Sequence, residues 1–175
     1  MTTRTLALFD LDETLIAGDS DSEWGLHLVS LGVVDREIYL AKNQDFYDRY
    51  RAGTLVLQDF LDFQLYPLSQ FSRAQLDEWH AVFLSSRILP MIRPGAPALL
   101  DRHRDDERVI VTATNRFVTA PIAAALGITT LLATELEQEN GRFTGRAAGT
   151  PCFREGKVVR LQEWLAARGE RLADY

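Results

Sequence analysis

Four stretches with helical spacing of apolar residues fill the first half of the chain, after a short apolar run at Leu6–Phe9. Apolar positions that recur three and four residues apart are typical of amphipathic helices. The stretches cover residues 24–31, 38–50, 55–65 and 76–89, and they are separated at Gly32, Gly53 and Pro67. Ser72 and Gln75 have the spacing of a capping box at the start of the fourth. We therefore predict a group of four helices inserted after the first strand.

The second half alternates between strand-like and helix-like patterns. Residues 108–115 form an apolar run that predicts a buried strand, and the helical pattern of residues 117–126 follows directly and ends at Gly127. The pair Asn140-Gly141 is typical of a type I′ turn and predicts a β-hairpin between residues 133–137 and 142–145. A short helix at 96–103 and a helical pattern from 158 complete the order. This alternation indicates an α/β fold with a doubly wound, Rossmann-like parallel sheet.

Two carboxylates follow the first apolar run, Asp10 and Asp12. Alternate side chains of an extended strand point the same way, so both are expected on one face. Like charges placed that close raise each other's pKa unless a cation separates them, which predicts a metal site or a nucleophile with a partner acid. The alternative is that both residues cap a turn, which explains one Asp better than two.

The pattern Asp10-x-Asp12-x-Thr14 after an apolar run resembles the first motif of the haloacid dehalogenase (HAD) superfamily, in its phosphoserine phosphatase-like branch, subfamily IB. The resemblance implies that Asp10 is a nucleophile that forms an aspartyl phosphate and that Asp12 is the general acid and base. It also implies Mg²⁺ held by the Asp10 carboxylate and the Asp12 backbone carbonyl, with Thr14 supporting the loop by hydrogen bonding.

The second motif of that family is a Ser or Thr at the end of a later strand, which Thr112 matches. The resemblance implies that its hydroxyl donates to a phosphoryl oxygen, next to the N-terminus of the following helix. Ala113, Asn115 and Arg116 are then expected to line the substrate site. The alternative is that Thr112 and Thr114 are ordinary strand residues and that Asn115 is a helix cap.

Lys157 matches the third motif, a cation that neutralises charge between phosphate and carboxylates. Asp19 occupies the position where phosphoserine phosphatases carry a Glu that binds the substrate's ammonium group. The resemblance therefore implies a contact of Asp19 with a substrate amine. Arg49 and Arg51 are candidates for binding a substrate carboxylate, and solvation of either is the alternative.

The resemblance also predicts the domain organisation: a HAD-like core formed by residues 1–18 and 90–175 and a helical cap at residues 19–89. The fourth motif of the family, an acidic pair after a later strand, has no match after Lys157. We therefore expect the core to be incomplete at its C-terminus. Either the chain is a version of a longer protein or it is a naturally short relative.

Composition limits the classes of function. With 175 residues, of which 46% are hydrophobic, the chain can form one ordinary core plus an insertion. The formal net charge of -6 argues against broad nucleic-acid binding, and no stretch is long and apolar enough to span a membrane. The start at Met1 leads into a strand without a signal peptide, so a cytoplasmic protein is expected. The single Cys152 cannot form an internal disulfide.

The sequence thus predicts a Mg²⁺-dependent phosphomonoester hydrolase that acts on a small phosphorylated metabolite such as phosphoserine or histidinol phosphate. A second hypothesis is a non-catalytic phosphate-binding or interaction protein that keeps the HAD fold without a complete metal site. A phospho-receiver domain is a weaker third, because its phosphate-accepting Asp follows a middle strand and no helical cap is inserted. No nucleic-acid or membrane partner is expected, and the sequence leaves the oligomeric state open.

Overall fold

The computed structural model describes residues 4–175. Residues 1–3, on which part of the expectation about the chain start depends, lie outside this range. The described residues form a four-stranded sheet in the order β1-β2-β3-β4. The strands are β1 (Leu6–Phe9), β2 (Glu107–Asn115), β3 (Thr130–Glu139) and β4 (Arg142–Ala148). The first three are parallel and β4 is antiparallel to β3, as the predicted hairpin requires.

The turn of that hairpin has the predicted geometry. Asn140 and Gly141 have φ angles of 51° and 76°, and a type I′ turn requires positive φ at both central residues. Asn tolerates this conformation better than most residues and Gly adopts it freely, so the local sequence fixes the turn. The prediction of a hairpin at this position is confirmed.

Four α-helices follow β1, before the segment that leads to β2. They are α1 (Ser20–Ser30), α2 (Arg36–Ala52), α3 (Leu57–Gln70) and α4 (Arg73–Phe83). Helix α4 begins with the predicted capping box of Ser72 and Gln75. A π-helical turn (Leu84–Ile88), a 3-10 turn (Leu89–Met91) and α5 (Ala96–Arg102) lead to β2. In residues 4–175 no helix combines the length and the apolar character needed to cross a membrane.

The boundary predicted at Pro67 is wrong, because this residue lies inside α3. Proline removes one hydrogen bond from a helix interior and strains the preceding turn. Leu65 and Leu68, on either side of Pro67, are almost completely buried, and their packing offsets that cost. The helix therefore continues to Gln70.

Helices cover both faces of the sheet, which confirms the α/β doubly wound fold. Helix α6 (Arg116–Ala125) lies on one face, and α7 (Glu155–Ala167) lies on the other. Alternate residues of β2 point to opposite faces, so Ile110 joins the larger core with α6 while Val109 and Val111 pack with α7. Helix α3 packs against β4, close to Gly145. The inserted helices are therefore attached to the far end of the sheet as well as to β1.

Candidate active site

The predicted catalytic residues lie at the carboxyl ends of neighbouring parallel strands. Asp10 follows β1 directly, Thr112 lies near the end of β2, and Lys157 is in the first turn of α7. Strands β1 and β2 pair in parallel, so their carboxyl ends meet at one edge of the sheet. This edge is where doubly wound folds bind ligands.

Asp10 and Lys157 form an ion pair, with Lys157 Nζ 3.0 Å from Asp10 Oδ2. The other carboxylate oxygen, Oδ1, accepts a hydrogen bond of 2.9 Å from the backbone N–H of Leu11. The Asp10 side chain is still 48% exposed, so an incoming group can reach it. A held but accessible carboxylate beside a cation is suited to attack on an anionic electrophile.

The position of Lys157 depends on the turn that precedes α7. Gly156 packs against the carbonyl oxygen of Pro151, and a Cβ at residue 156 would lie 2.0 Å from that oxygen. Arg154, just before the helix, has a positive φ of 49°. Its guanidinium lies over the rings of Phe153 and of Tyr50 in α2. The start of α7 thus contacts the inserted helices at the same place where it presents Lys157.

Asp12 accepts four hydrogen bonds. Its Oδ1 accepts from the backbone N–H and the hydroxyl of Ser20, over 2.7 Å and 2.6 Å. Its Oδ2 accepts from the hydroxyls of Thr112 and Thr114, over 3.2 Å and 3.0 Å. Both oxygens of the predicted acid and base are therefore fixed by donors from α1 on one side and β2 on the other.

Backbone hydrogen bonds and buried side chains fix the loop between Asp10 and α1. The carbonyl oxygen of Leu11 accepts from the backbone N–H groups of Thr14, Leu15 and Ile16. Leu11, Leu15 and Ile16 are completely buried. Thr14 is exposed and supports the loop through this backbone hydrogen bond. Glu13 has a φ of 55° and donates its N–H to the carbonyl of Gly18, which turns the chain back toward α1.

Asp19 and Asp21 add two further carboxyl groups close to Asp12. Asp19 caps α1 by accepting from the N–H of Ser22 over 2.8 Å. Although much of the Asp19 surface is exposed, desolvation of its carboxyl group and the charge of Asp12 raise its pKa to about 6. Asp21 is buried and accepts from Asn115 Nδ2 over 3.3 Å. Burial and the carboxylates of Asp19 and Asp12 raise the pKa of Asp21 well above its ordinary range.

Asn115 and Ala113 have partners within the protein. Asn115 caps α6, because its Oδ1 accepts from the N–H of Val118 over 3.1 Å. The carbonyl oxygen of Ala113 accepts from the hydroxyl of Thr134 over 2.8 Å, and that hydroxyl oxygen accepts from the N–H of Cys152. These contacts hold the end of β2 against β3 and against the loop before α7. Their predicted contact with substrate stays a prediction.

The two arginines predicted for the substrate site contact other groups of the protein. Arg116 forms a bidentate ion pair with Glu135, whose Oε1 also accepts from Arg160 of α7. Its Nη2 donates to the carbonyl of Leu131 over 2.7 Å. Arg51 is exposed on α2, with its guanidinium 5.9 Å from the centre of the Tyr47 ring. Neither contact brings a guanidinium onto Asp10.

Three residues around Asp12 were not predicted as site residues: Ser20, Asp21 and Thr114. Thr114 lies two residues after Thr112, and the two-residue period of a strand could have placed both hydroxyls on one face. Ser20 and Asp21 begin a helix, where such residues are common as caps, so their role has no distinct signal in the sequence. Their meeting with β2 depends on the tertiary packing of α1.

The donor set is compatible with Mg²⁺ that is completed by a substrate. Within residues 4–175 no group of three or more His, Cys, Asp or Glu side chains is arranged to hold a metal ion. Mg²⁺ commonly keeps several waters and is bound by one or two carboxylates together with substrate phosphate oxygens. The exposed Asp10 carboxylate provides one hard oxygen ligand, so the residues present fit that arrangement.

Known proteins resemble this chain in sequence and in fold. The chain is similar to a histidinol-phosphatase of Neisseria meningitidis serogroup C, with 42% identity over 98% of this chain and 79% of the relative. A protein of unknown function from Bordetella pertussis Tohama I has a similar structure, with a TM-score of 0.92, 44% identity and coverage of 99% of this chain and 79% of the other.

A more distant structure, a phospho-aspartyl intermediate analogue of phosphoserine phosphatase, shares the fold, with a TM-score of 0.66 and 20% identity over 99% of this chain and 76% of its own. The pattern of the haloacid dehalogenase-like hydrolases matches residues 7–175. The chain therefore belongs to the haloacid dehalogenase-like hydrolase family, and the predictions of this family and of an enzyme are confirmed.

Proposed function

We propose that the protein is a Mg²⁺-dependent phosphomonoester hydrolase that acts through an aspartyl phosphate on Asp10, with histidinol phosphate as the first candidate substrate. The observation that carries this proposal is the exposed Asp10 carboxylate, paired with Lys157 at 3.0 Å and located beside Asp12. The 42% identity to a histidinol-phosphatase supports the choice of substrate.

In the first step a carboxylate oxygen of Asp10 attacks phosphorus and the bond between phosphorus and the ester oxygen breaks. Asp12 gives a proton to the departing oxygen, which leaves as an alcohol. In the second step Asp12 removes a proton from water, which attacks phosphorus and releases phosphate from Asp10. Lys157 offsets negative charge throughout. Mg²⁺, held by the Asp10 carboxylate and the Asp12 carbonyl, would neutralise the phosphoryl oxygens.

The hydroxyls of Thr112 and Thr114 link phosphate binding to the ability of Asp12 to exchange a proton. Each hydroxyl has one proton, and both Thr112 and Thr114 direct it to Asp12 Oδ2. A phosphoryl oxygen that accepts a hydrogen bond from either hydroxyl removes one donor from Asp12 Oδ2. Oδ2 is then free to exchange a proton with the leaving group or with water.

The charge around the site favours a substrate with a cationic group and no carboxylate. Asp12, Asp19 and Asp21 lie close enough to raise the pKa values of Asp19 and Asp21. The donors to these three carboxylates are backbone N–H groups, hydroxyls and one amide, none of which carries a charge. Histidinol phosphate has an amine and an imidazole, whereas phosphoserine also has a carboxylate that this charge would repel.

We infer that residues 19–89 act as a cap that closes over the substrate. Two contacts between the inserted helices and the core support this. Tyr50 of α2 lies against Phe153 beside Lys157, and His80 of α4 donates from Nε2 to the carbonyl of Val118 in α6, over 2.8 Å. A cap with such contacts can exclude water from the phosphoryl group while the leaving group departs.

Steady-state hydrolysis of L-histidinol phosphate and of L-phosphoserine, each with Mg²⁺, tests the proposal. We expect kcat/KM to be at least about 10-fold higher for histidinol phosphate, because one well-placed charge interaction differs by about that factor. Asp10→Asn is the control. Its amide cannot attack phosphorus, so turnover should disappear while the fold remains. Hydrolysis by that variant at the wild-type rate would contradict the role of Asp10.

The alternative, a non-catalytic phosphate-binding protein, is supported by the small number of metal-binding carboxylates within the described residues. It predicts phosphate binding without turnover. Isothermal titration with inorganic phosphate, beside the turnover assay on the same sample, separates the two functions.

A further inference from the structure

A closed ring of contacts surrounds Asp12. Its Oδ1 is bound by Ser20 and its Oδ2 by Thr114. Ser20 precedes Asp21 in the chain, and Thr114 precedes Asn115. Asn115 Nδ2 donates to Asp21 Oδ1 over 3.3 Å, which closes the ring. The contact between Asp21 and Asn115 therefore joins the two segments that hold Asp12.

The residues of this ring are removed from solvent. Asp21 is 8% exposed and Asn115 is 3% exposed, and Ser20 and Thr114 are also buried. The amide of Asn115 is used at both ends, because Oδ1 caps α6 at Val118 while Nδ2 binds Asp21. A side chain bound at both ends cannot rotate without breaking one contact, so it holds the start of α1 at a fixed distance from the start of α6.

We propose that Asp21 and Asn115 are positioning residues that fix the Asp12 carboxylate in the orientation needed to protonate the leaving alcohol. This inference rests on the proposed function. Neither residue donates to or accepts from Asp12 directly. They act by keeping Ser20 and Thr114 on opposite sides of that carboxylate. If the contact is lost, α1 and β2 can move apart and Asp12 loses its fixed direction.

A comparison of substrates with different leaving groups tests such a role. An alkyl alcohol is a poor leaving group and needs a proton from Asp12, whereas p-nitrophenolate leaves without one. Misplacement by about 1 Å can cost about 100-fold in rate. We expect Asp21→Ala to lower kcat for L-histidinol phosphate by about 10-fold or more and kcat for p-nitrophenyl phosphate by less than about 3-fold.

Two further variants separate positioning from general damage to the fold. Asp21→Asn keeps an oxygen that accepts from Asn115, and because the pKa of Asp21 is raised, the neutral amide resembles the protonated acid. It should restore most of the rate on histidinol phosphate. Asn115→Ser keeps a favoured cap for α6 but lacks Nδ2, so it should behave as Asp21→Ala does. If Asp21→Ala does not fold, the rates of Asn115→Ser on the two phosphates test the inference instead.

Asp35→Ala is the matched control. Asp35 caps α2 by accepting from the N–H of Ile38 over 2.9 Å, as Asp19 caps α1, but it is not part of the ring. Loss of this cap should lower the melting temperature by a few degrees and leave the ratio of the two rates unchanged.

A cycle with Asp12→Asn completes the test. If Asp21 acts through Asp12, Asp21→Ala should have little further effect on histidinol phosphate once Asp12 is changed. Equal losses on both phosphates, no recovery in Asp21→Asn, or the full effect of Asp21→Ala in the Asp12→Asn background would each overturn the inference. Failure of the proposed function has a different result: the wild type hydrolyses neither phosphate, or Asp10→Asn still does, and the inference is then overturned with it.

Discussion

At the scale of single residues, the site combines carboxylates with different surroundings. Asp10 is accessible and paired with Lys157, Asp12 is held by four uncharged donors, and Asp21 is buried. Environments that differ this much give chemically similar groups different roles. The charge of Asp19 is expected to change within an accessible pH range, because its pKa is raised to about 6.

Asp19 should therefore make substrate binding depend on pH. A raised pKa means that Asp19 is neutral below about pH 6 and charged above it, so its attraction for a cationic substrate is lost as the pH falls through about 6. KM for L-histidinol phosphate, measured from pH 5 to 8, should rise more steeply on acidification in the wild type than in Asp19→Asn. Protonation of the substrate itself also changes with pH, but this effect is the same for both proteins. Parallel profiles would show that Asp19 does not contact the cation.

At the scale of elements, the turn before α7 decides whether Lys157 reaches Asp10. This turn brings the backbone of Gly156 against Pro151, and only a residue without a side chain fits there. It also contains Arg154 with a φ of 49° and a ψ of -117°, a backbone conformation that residues other than glycine rarely adopt. The contact between β3 and the loop, through Thr134 and Cys152, holds the turn from the other side.

Gly156→Ala should displace the start of α7. The added Cβ would lie 2.0 Å from the Pro151 oxygen, so the turn must open, and overpacking of this kind typically costs about 1–3 kcal/mol. We expect a lower melting temperature and at least about a 10-fold loss of kcat/KM, as Lys157 moves away from Asp10. Gly95→Ala is the control, since φ there is -83° and nothing lies within 4 Å of the new Cβ. Wild-type kinetics in Gly156→Ala would contradict this role of the turn.

At the scale of the whole molecule, the inserted helices and the core meet through an aromatic cluster. Trp24 of α1 packs against His80 and Phe83 of α4 and against Phe117 of α6. His80 also donates to the carbonyl of Val118, so its ring links α4 to α6. Burial lowers the pKa of His80, which keeps the ring neutral at that junction.

This junction should weaken in acid. Because the pKa of His80 is lower in the folded than in the unfolded protein, the unfolded chain takes up a proton first as the pH falls below about 6.5. The free energy of unfolding contributed by His80 is therefore lost on acidification. Denaturant titrations at pH 7 and pH 5 should show a smaller difference in stability for His80→Gln than for the wild type. Asp21 has a raised pKa and therefore stabilises the folded protein on acidification, but it is present in both proteins and does not affect their difference.

The sequence by itself determined the features that depend on neighbours in the chain. The apolar run of β2, the Asn140-Gly141 turn and the Ser72 capping box are local, and each lies where the sequence predicts it. The order of the elements then fixed the α/β fold. The fold in turn brought Asp10, Asp12 and Thr112 to one edge of the sheet, because parallel strands end on the same side.

Tertiary structure decided everything that depends on packing between distant segments. Pro67 stays within a helix because buried leucines on both sides hold it. Ser20 binds Asp12, and Asp21 binds Asn115, only because α1 packs beside β2. Asp21 and Asn115 are 94 positions apart in the chain. A polar residue at a helix start has the same local pattern whether it binds solvent or another segment. Its partner is set by the three-dimensional arrangement, which a one-dimensional pattern does not contain.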